Sequence, residues 1–331
     1  MNSQALKKRV KTVELFTEIE DDLVGVETAI EEALVAKDPL LVEVSTHLLR
    51  AGGKRIRPAM VLLAARFNRY DLVRLLPVAT AVELIHMATL VHDDVVDRSR
   101  VRRGLPTVNA KWGGPVSVLI GDYLFAKAFS LLAQTGDNRL VRLMAEVVYQ
   151  MSTGEIQQIN SCFKLDQTEE DYFDRIAKKT AIFIAESCRL GAIASGASTE
   201  QEQALYDYGF GLGMGFQIID DILDFTANVR QLGKPIGSDV RSGVLTLPVL
   251  HALAHSPRRE RLREILSKKP VGEAEVRAVG EILSETESLQ YAYRAAVRYV
   301  EDAKGRLTCL ASGSALENLA SVADFVVNRE F

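Results

Sequence analysis

Apolar residues recur at three- and four-residue spacing along almost the whole chain, and nowhere alternate at period two for long enough to make a strand. That pattern restricts the fold to helices packed on helices. Composition agrees: Pro is scarce, at 9 of 331 residues, and Ala, Leu, Val, Glu and Arg dominate. Leu15, Phe16 and Ile19 through Leu34 read as an amphipathic helix, with Pro39 marking its end. Pro58, after Lys54-Arg55-Ile56-Arg57, suits a helix start. From Asp71 to Asp97 the spacing supports one long helix, or two joined near Pro77. A basic loop from Arg98 to Pro106 follows. Further helical stretches cover 116–135, 138–160, 168–194 and 199–225. A loop marked by Pro235, Gly237 and Gly243 precedes 245–254, and the chain from 260 onward is helical again. No linker or composition break interrupts it, so the expectation is one all-α domain over residues 1–331.

Two copies of one acidic pattern lie inside this helical sequence. Asp93-Asp94-Val95-Val96-Asp97 and Asp220-Asp221-Ile222-Leu223-Asp224 both read D-D-x-x-D, and both are flanked by Leu, Ile, Val and Phe rather than by Lys and Glu. On a helix the first and last Asp of each copy share a face at i and i+4. Like charges at that spacing repel by a few tenths of a kcal/mol in water, and burial raises the cost unless a cation compensates. Carboxylates with no Cys or His among them suit a hard cation, Mg²⁺ before Ca²⁺.

Basic clusters complement the acids. Gly52-Gly53-Lys54-Arg55-Ile56-Arg57-Pro58 combines a flexible backbone, three cations and a helix start, which together favour an anion. Arg102-Arg103-Gly104 begins five residues beyond Asp97, Lys178-Lys179-Thr180 opens an apolar stretch, and Lys234 lies ten residues after Asp224. The pattern predicts an enzyme of two diphosphates, one bound through several Mg²⁺ ions on the six carboxylates and the other by a separate basic set without metal. The run Gly209-Phe210-Gly211-Leu212-Gly213-Met214-Gly215 lacks the preceding strand and the G-x-G-x-x-G spacing of a phosphate loop, and reads as a face of close helix approach.

A net charge of -4 gives no reason to expect nucleic-acid binding. Cys162, Cys188 and Cys309 are far apart, odd in number and form no C-x-x-C, which argues against a disulfide framework or zinc site and for the cytoplasm. The first residues lack an apolar signal core, and the most apolar stretch, 116–133, is broken by Asp122 and Lys127, so no membrane span is expected.

In their order along the chain, Gly53-Lys54-Arg55-Ile56-Arg57-Pro58, the first aspartate motif with Arg102-Arg103-Gly104-Leu105-Pro106-Thr107, Lys179-Thr180, and Gly215-Phe216-Gln217 leading into the second motif resemble the trans-isoprenyl diphosphate synthases, the polyprenyl synthetase family. The resemblance implies an all-α bundle around a deep central cavity, with the two aspartate motifs facing each other at its mouth. It implies about three Mg²⁺ ions held by Asp93, Asp97 and Asp220, with Asp94, Asp221 and Asp224 as partial ligands or supports. Arg102, Lys179, Thr180, Gln217 and Lys234 are then expected on the allylic diphosphate (farnesyl or geranyl diphosphate). Lys54, Arg57, His86 and Arg103 are expected on isopentenyl diphosphate. The allylic C–O bond ionises, the double bond of isopentenyl diphosphate attacks the cation, and a proton is lost; water is excluded because it would quench the cation. One departure stands out: where many members carry Lys after the loop G-x-D-x-x-x-G, here Gly237 to Gly243, this chain has Val244.

By the same resemblance, product length depends on what blocks the cavity below the first motif. Ala88 and Thr89, five and four positions before Asp93, are small, and Ile85 lies one turn deeper. Short-chain members place an aromatic plug there, so the expectation is a longer product, about C30 to C50, such as a quinone side chain. Deeper plugs such as Phe125 or Phe129 are not placed by sequence. A class I terpene cyclase shares the metal chemistry but would not need Lys54, Arg57 and Arg103. A short-chain farnesyl or geranylgeranyl diphosphate synthase shares the chemistry and differs in the plug. A non-catalytic subunit of a heteromeric synthase would be expected to have lost Asp or Arg residues, and both aspartate triads are complete here. A homodimer, and a small accessory subunit as a further partner, follow from the family alone.

Overall fold

The computed structural model describes residues 14–226, 237–269 and 271–328. These residues are helical nearly throughout. A 3₁₀ turn at Glu14–Ile19 leads into α1 (Glu20–Ala33), α2 (Pro39–Ala51), α3 (Ile56–Ala65) and α4 (Leu72–Val96). A two-stranded hairpin, β1 (Val101–Arg102) with β2 (Leu105–Pro106), precedes α5 (Val108–Trp112), α6 (Gly114–Gln134) and α7 (Asn138–Ser161). Then come α8 (Glu169–Ile176), a π turn (Ala177–Ala181), α9 (Ile182–Ser195) and α10 (Thr199–Thr226). The rest comprises α11 (Ser238–Ser242), α12 (Leu247–His255), α13 (Arg259–Leu266), α14 (Glu273–Glu285), α15 (Ser288–Arg306) and α16 (Ser314–Val327).

The helical pattern in the sequence is therefore realised, with two corrections near the start. Pro39 does not mark the end of a helix but begins α2: it occupies the first helical turn, where its missing N–H costs nothing. Asp38 caps that turn, accepting from the Leu40 and Leu41 amides at 2.9 and 3.1 Å. The second concerns Arg98–Pro106, read as a loop, which holds a hairpin too short for any period-two signal. Its turn residues, Arg103 and Gly104, both have positive φ (53° and 78°), the signature of a type I′ turn. Pro77 does not split α4. It sits in the second turn, and Val73, whose carbonyl loses its partner, is 84% exposed, so water is at hand.

The described residues divide into two compact units: 14–144, 187–205 and 310–319, and 145–186, 206–226, 237–269, 271–309 and 320–328. In the first, α4 is the central helix, packed on α1, α3 and α6, with Val78, Val82, Leu84 and Ala88 fully buried. In the second, Tyr172, Ile218, Leu247, Val279 and Ala296 belong to one buried cluster. Here the glycine run on α10 does what its spacing suggests. A Cβ at Gly211 would lie 2.6 Å from the Tyr299 carbonyl, one at Gly215 2.5 Å from Val300, and one at Gly213 2.6 Å from the Ala181 Cα. Gly is the weakest helix former after Pro, by ~1 kcal/mol against Ala, and α10 accepts that cost to seat α15 and the π turn against its backbone.

Candidate active site

In the first unit the hairpin, the start of α3 and the middle of α4 bring Arg57, Arg102 and Arg103 near His86. Arg57, on the first turn of α3, lies 3.1 Å through Nη1 from His86 Nε2. Arg is always a donor, so His86 accepts at Nε2 and its proton sits on Nδ1. Burial of the ring, and then Arg57 and Arg103, hold His86 well below the usual imidazole pKa, so it is neutral at pH 7 and serves as a hydrogen-bonding group rather than a cation. Arg103 reaches back to donate to the Gly52 carbonyl. Burial is the main force lowering its pKa, and Arg55 and Arg102 add to the effect.

Arg55 departs from the sequence reading, which counts it among the phosphate-binding cations. It turns inward, 3% exposed, and pairs with the buried Glu27 and with Glu83 at 2.5 Å. Neither glutamate carries a sequence signal of its own: each falls within a helix, among residues that read as ordinary helix formers.

The last turn of α4 carries the first aspartate motif. Asp94 points inward, 4% exposed, and accepts from Arg102 Nε at 2.9 Å. Asp93 is half-buried and Asp97 exposed. His92, one residue ahead, is fixed to α6: its Nε2 lies 3.0 Å from the Val118 carbonyl, and a Cβ on Gly121 would fall 2.0 Å from the same atom. Ala88 and Ile85 are fully buried on α4, and Thr89 Oγ1 donates to the His86 carbonyl at 2.8 Å. Phe125, considered from sequence as a deeper plug, has its ring centroid 5.8 Å from that of His92 and so lies level with the motif.

In the second unit the π turn presents Lys179 and Thr180. A single π turn within a helix is rare and is found disproportionately at functional sites. Thr180 Oγ1 donates to Gln217 Oε1 at 2.8 Å, and Gln217 Nε2 donates to Asp221 at 2.9 Å. Asp221, 4% exposed, also accepts from the Tyr172 hydroxyl at 2.7 Å. Burial pushes its carboxyl up, Asp239 adds to the rise, and the two hydrogen bonds oppose it. Asp224 accepts from Ser238 Oγ (2.8 Å), the Ser238 amide (3.2 Å) and the Asp239 amide (3.1 Å), and so ties α10 to α11. Asp220 is half-buried beside them, and Lys179 pairs with Glu155 at 2.6 Å. Lys234 lies outside the described residues; Val244 is half-buried behind α11. Tyr172 and Glu155 were invisible in the sequence, where a Tyr or Glu in a helical stretch has no distinguishing neighbours.

Among the described residues no three His, Cys, Asp or Glu side chains close on one point as a protein cage. The first motif offers the half-buried Asp93 and the exposed Asp97, and the second the half-buried Asp220, oxygen donors of the kind that Mg²⁺ takes. That ion keeps near-octahedral geometry by combining one or two protein carboxylates with water and substrate phosphate.

The polyprenyl synthetase family model matches residues 38–283. The heptaprenyl diphosphate synthase component 2 of Geobacillus stearothermophilus is 42% identical over 322 residues, covering 97% of this chain and all of the relative. A short chain isoprenyl diphosphate synthase of Methanothermobacter thermautotrophicus is 40% identical over 294 residues, covering 88% and 90%. Among solved structures, a polyprenyl synthase of Caulobacter crescentus, complexed with calcium and isoprenyl diphosphate, superposes with a TM-score of 0.90 at 35% identity and 98% coverage of each chain. The chain belongs to the polyprenyl synthetase family. Its all-α architecture is that of its structural neighbours, and its activity is that of a trans-prenyltransferase making a prenyl diphosphate.

Proposed function

We propose that the chain is a Mg²⁺-dependent synthase that extends farnesyl or geranyl diphosphate with isopentenyl diphosphate to a long all-trans product, about C30 to C50. The observation that carries the length is the make-up of α4 behind the first motif: from Ile85 to Thr89 it carries no Phe, Tyr or Trp, Ala88 is small, and Thr89 is half-buried. Relatives named for both long and short products leave length to such local features.

Asp93, Asp97 and Asp220 would hold about three Mg²⁺ ions, which neutralise charge on the leaving diphosphate. Asp94, Asp221 and Asp224 support them, since each is already engaged with protein donors. Arg102, Lys179, Thr180, Gln217 and Lys234 orient the allylic substrate. Lys54, Arg57, His86 and Arg103 hold isopentenyl diphosphate, and the neutral His86 donates through Nδ1 without adding charge. Thr180 and Gln217, with oxygens 2.8 Å apart, direct their dipoles at the developing allylic cation. Residues 1–331 act as one synthase domain in the cytoplasm. A homodimer is supported by α6, an apolar helix long enough to cross a membrane by length and composition, whose most apolar window is only 33% buried and which exposes Leu119 at 68%.

Incubation with Mg²⁺, farnesyl diphosphate and isopentenyl diphosphate, followed by product mass, tests this reading. A C30 to C50 product supports it; a product of about C20 moves the chain to the short-chain class. Product that appears only after a second protein is added makes it a subunit of a heteromeric synthase, as the words component 2 in the relative's name describe for that protein. Ala88→Phe is expected to shorten the product by one or more C5 units; an unchanged distribution would remove Ala88 from the length gauge.

A further inference from the structure

The buried triad beneath the basic cluster has no place in the chemistry above, yet it is built into the segment that presents it. Arg55 is the residue immediately before α3, and its backbone is left-handed (φ 51°, ψ 34°), a conformation that non-glycine residues adopt at a cost. No side chain caps the helix there. What holds the residue in place is its guanidinium: Nε is engaged by Glu27 on α1, and Nη1 by Glu83 on α4. Burial works against the charge on Arg55, and the two carboxylates more than offset it. Lys54 precedes this kink and Arg57 follows it.

Arg103 is fixed to the same spot from the other side. It donates to Gly52, and a Cβ placed on Gly53 would lie 2.8 Å from Arg103 Nη1 and 2.9 Å from Arg55 Nη1. Two guanidiniums therefore flank one glycine backbone, and Glu83 acts on both, favouring the charged form of each. Glu27 acts on Arg55.

We infer that Arg55, clamped by Glu27 and Glu83, is a positioning residue that sets the directions of Lys54 and Arg57 around a diphosphate, rather than a phosphate ligand itself. The inference deepens the assignment of Lys54, Arg57, His86 and Arg103 to isopentenyl diphosphate and rests on it. Its sign is opposite to that of simple electrostatics. Removing an acid makes the region more positive and would tighten binding of an anion if charge alone mattered. Loosening the clamp weakens binding instead.

Glu27→Gln and Glu83→Gln preserve shape and remove one charge each. Steady-state kinetics on each variant, with a thermal melt to show that it folds, is expected to give a KM for isopentenyl diphosphate raised roughly 10-fold. The KM for farnesyl diphosphate, the Mg²⁺ dependence and kcat should stay within about threefold of the parent. Glu27→Gln is the cleaner of the two because Glu27 acts on Arg55 while Glu83 acts on Arg103 as well. If Glu83→Gln fails to fold, Glu27→Gln still decides. A KM for isopentenyl diphosphate that falls or does not move in the folded variant overturns the inference. So does an equal rise in both substrates' KM, which marks a general structural role. Arg57→Ala separates the two levels. If it leaves the KM for isopentenyl diphosphate unchanged, the pocket assignment fails and the inference with it. If it raises that KM while Glu27→Gln does not, the inference alone fails.

Discussion

The two aspartate motifs share five letters of pattern and differ in what surrounds them. The first ends a helix, keeps one Asp on Arg102 and leaves Asp97 exposed after the final turn. The second lies near the end of α10 and is held by neutral donors: Tyr172 and Gln217 on Asp221, Ser238 and the Asp239 amide on Asp224. One copy is bound to a cation of the chain and open to solvent, while the other is threaded into the packing of its unit. Identical motifs can thus be assigned the same ion and still divide binding from architecture differently.

That contrast yields an ordered set of tests. The first residue of each copy is assigned to the metal, so Asp93→Ala and Asp220→Ala should each cut kcat by roughly 10³-fold or more. Full removal of divalent metal by EDTA should abolish turnover of the parent to the same background. Equal turnover in either variant would remove that Asp from the metal site.

The last residues should diverge. Asp224→Ala strands the Ser238 and Asp239 donors and is expected to cost about 1–3 kcal/mol of stability as well as activity, by denaturant unfolding. Asp97→Ala should leave stability within about 0.5 kcal/mol. Equal destabilisation would erase the difference between the copies. Tyr172→Phe removes one donor from a buried carboxyl and should cost about 1–2 kcal/mol, with a smaller kinetic effect than either Ala variant.

The smallest effect concerns His86. Its folded pKa is depressed, so the unfolded chain takes up a proton first as pH falls below about 6.5. Its contribution is absent above that pH. Below it the folded state loses stability, by at most ~1.4 kcal/mol per pH unit. His86→Asn should flatten the fall in Tm between about pH 6.5 and 5, after allowance for the other titrating groups. An unchanged slope would show that His86 titrates alike in both states.

Much of this was legible in the sequence because it is local. Helical periodicity places the aspartates on faces, and the glycine spacing on α10 anticipates close contacts that the backbone distances bear out. What was not legible depends on direction. Arg55 and Arg57 lie two residues apart in one basic run, yet a left-handed backbone at Arg55 sends one inward to two glutamates while the other meets His86. Tyr172 reaches Asp221 across 49 positions, a pairing that no short-range pattern encodes. Pro39 misleads because proline ends one helix and begins the next with equal ease, and only the Asp38 cap decides.

The most direct test of a prenyl diphosphate synthase is to measure diphosphate release alongside consumption of isopentenyl diphosphate, with Mg²⁺ and farnesyl diphosphate present. A synthase releases one diphosphate for each isopentenyl diphosphate consumed, and its product grows by one C5 unit each time. Diphosphate released while isopentenyl diphosphate remains untouched would contradict the synthase reaction and move the chain to the cyclases.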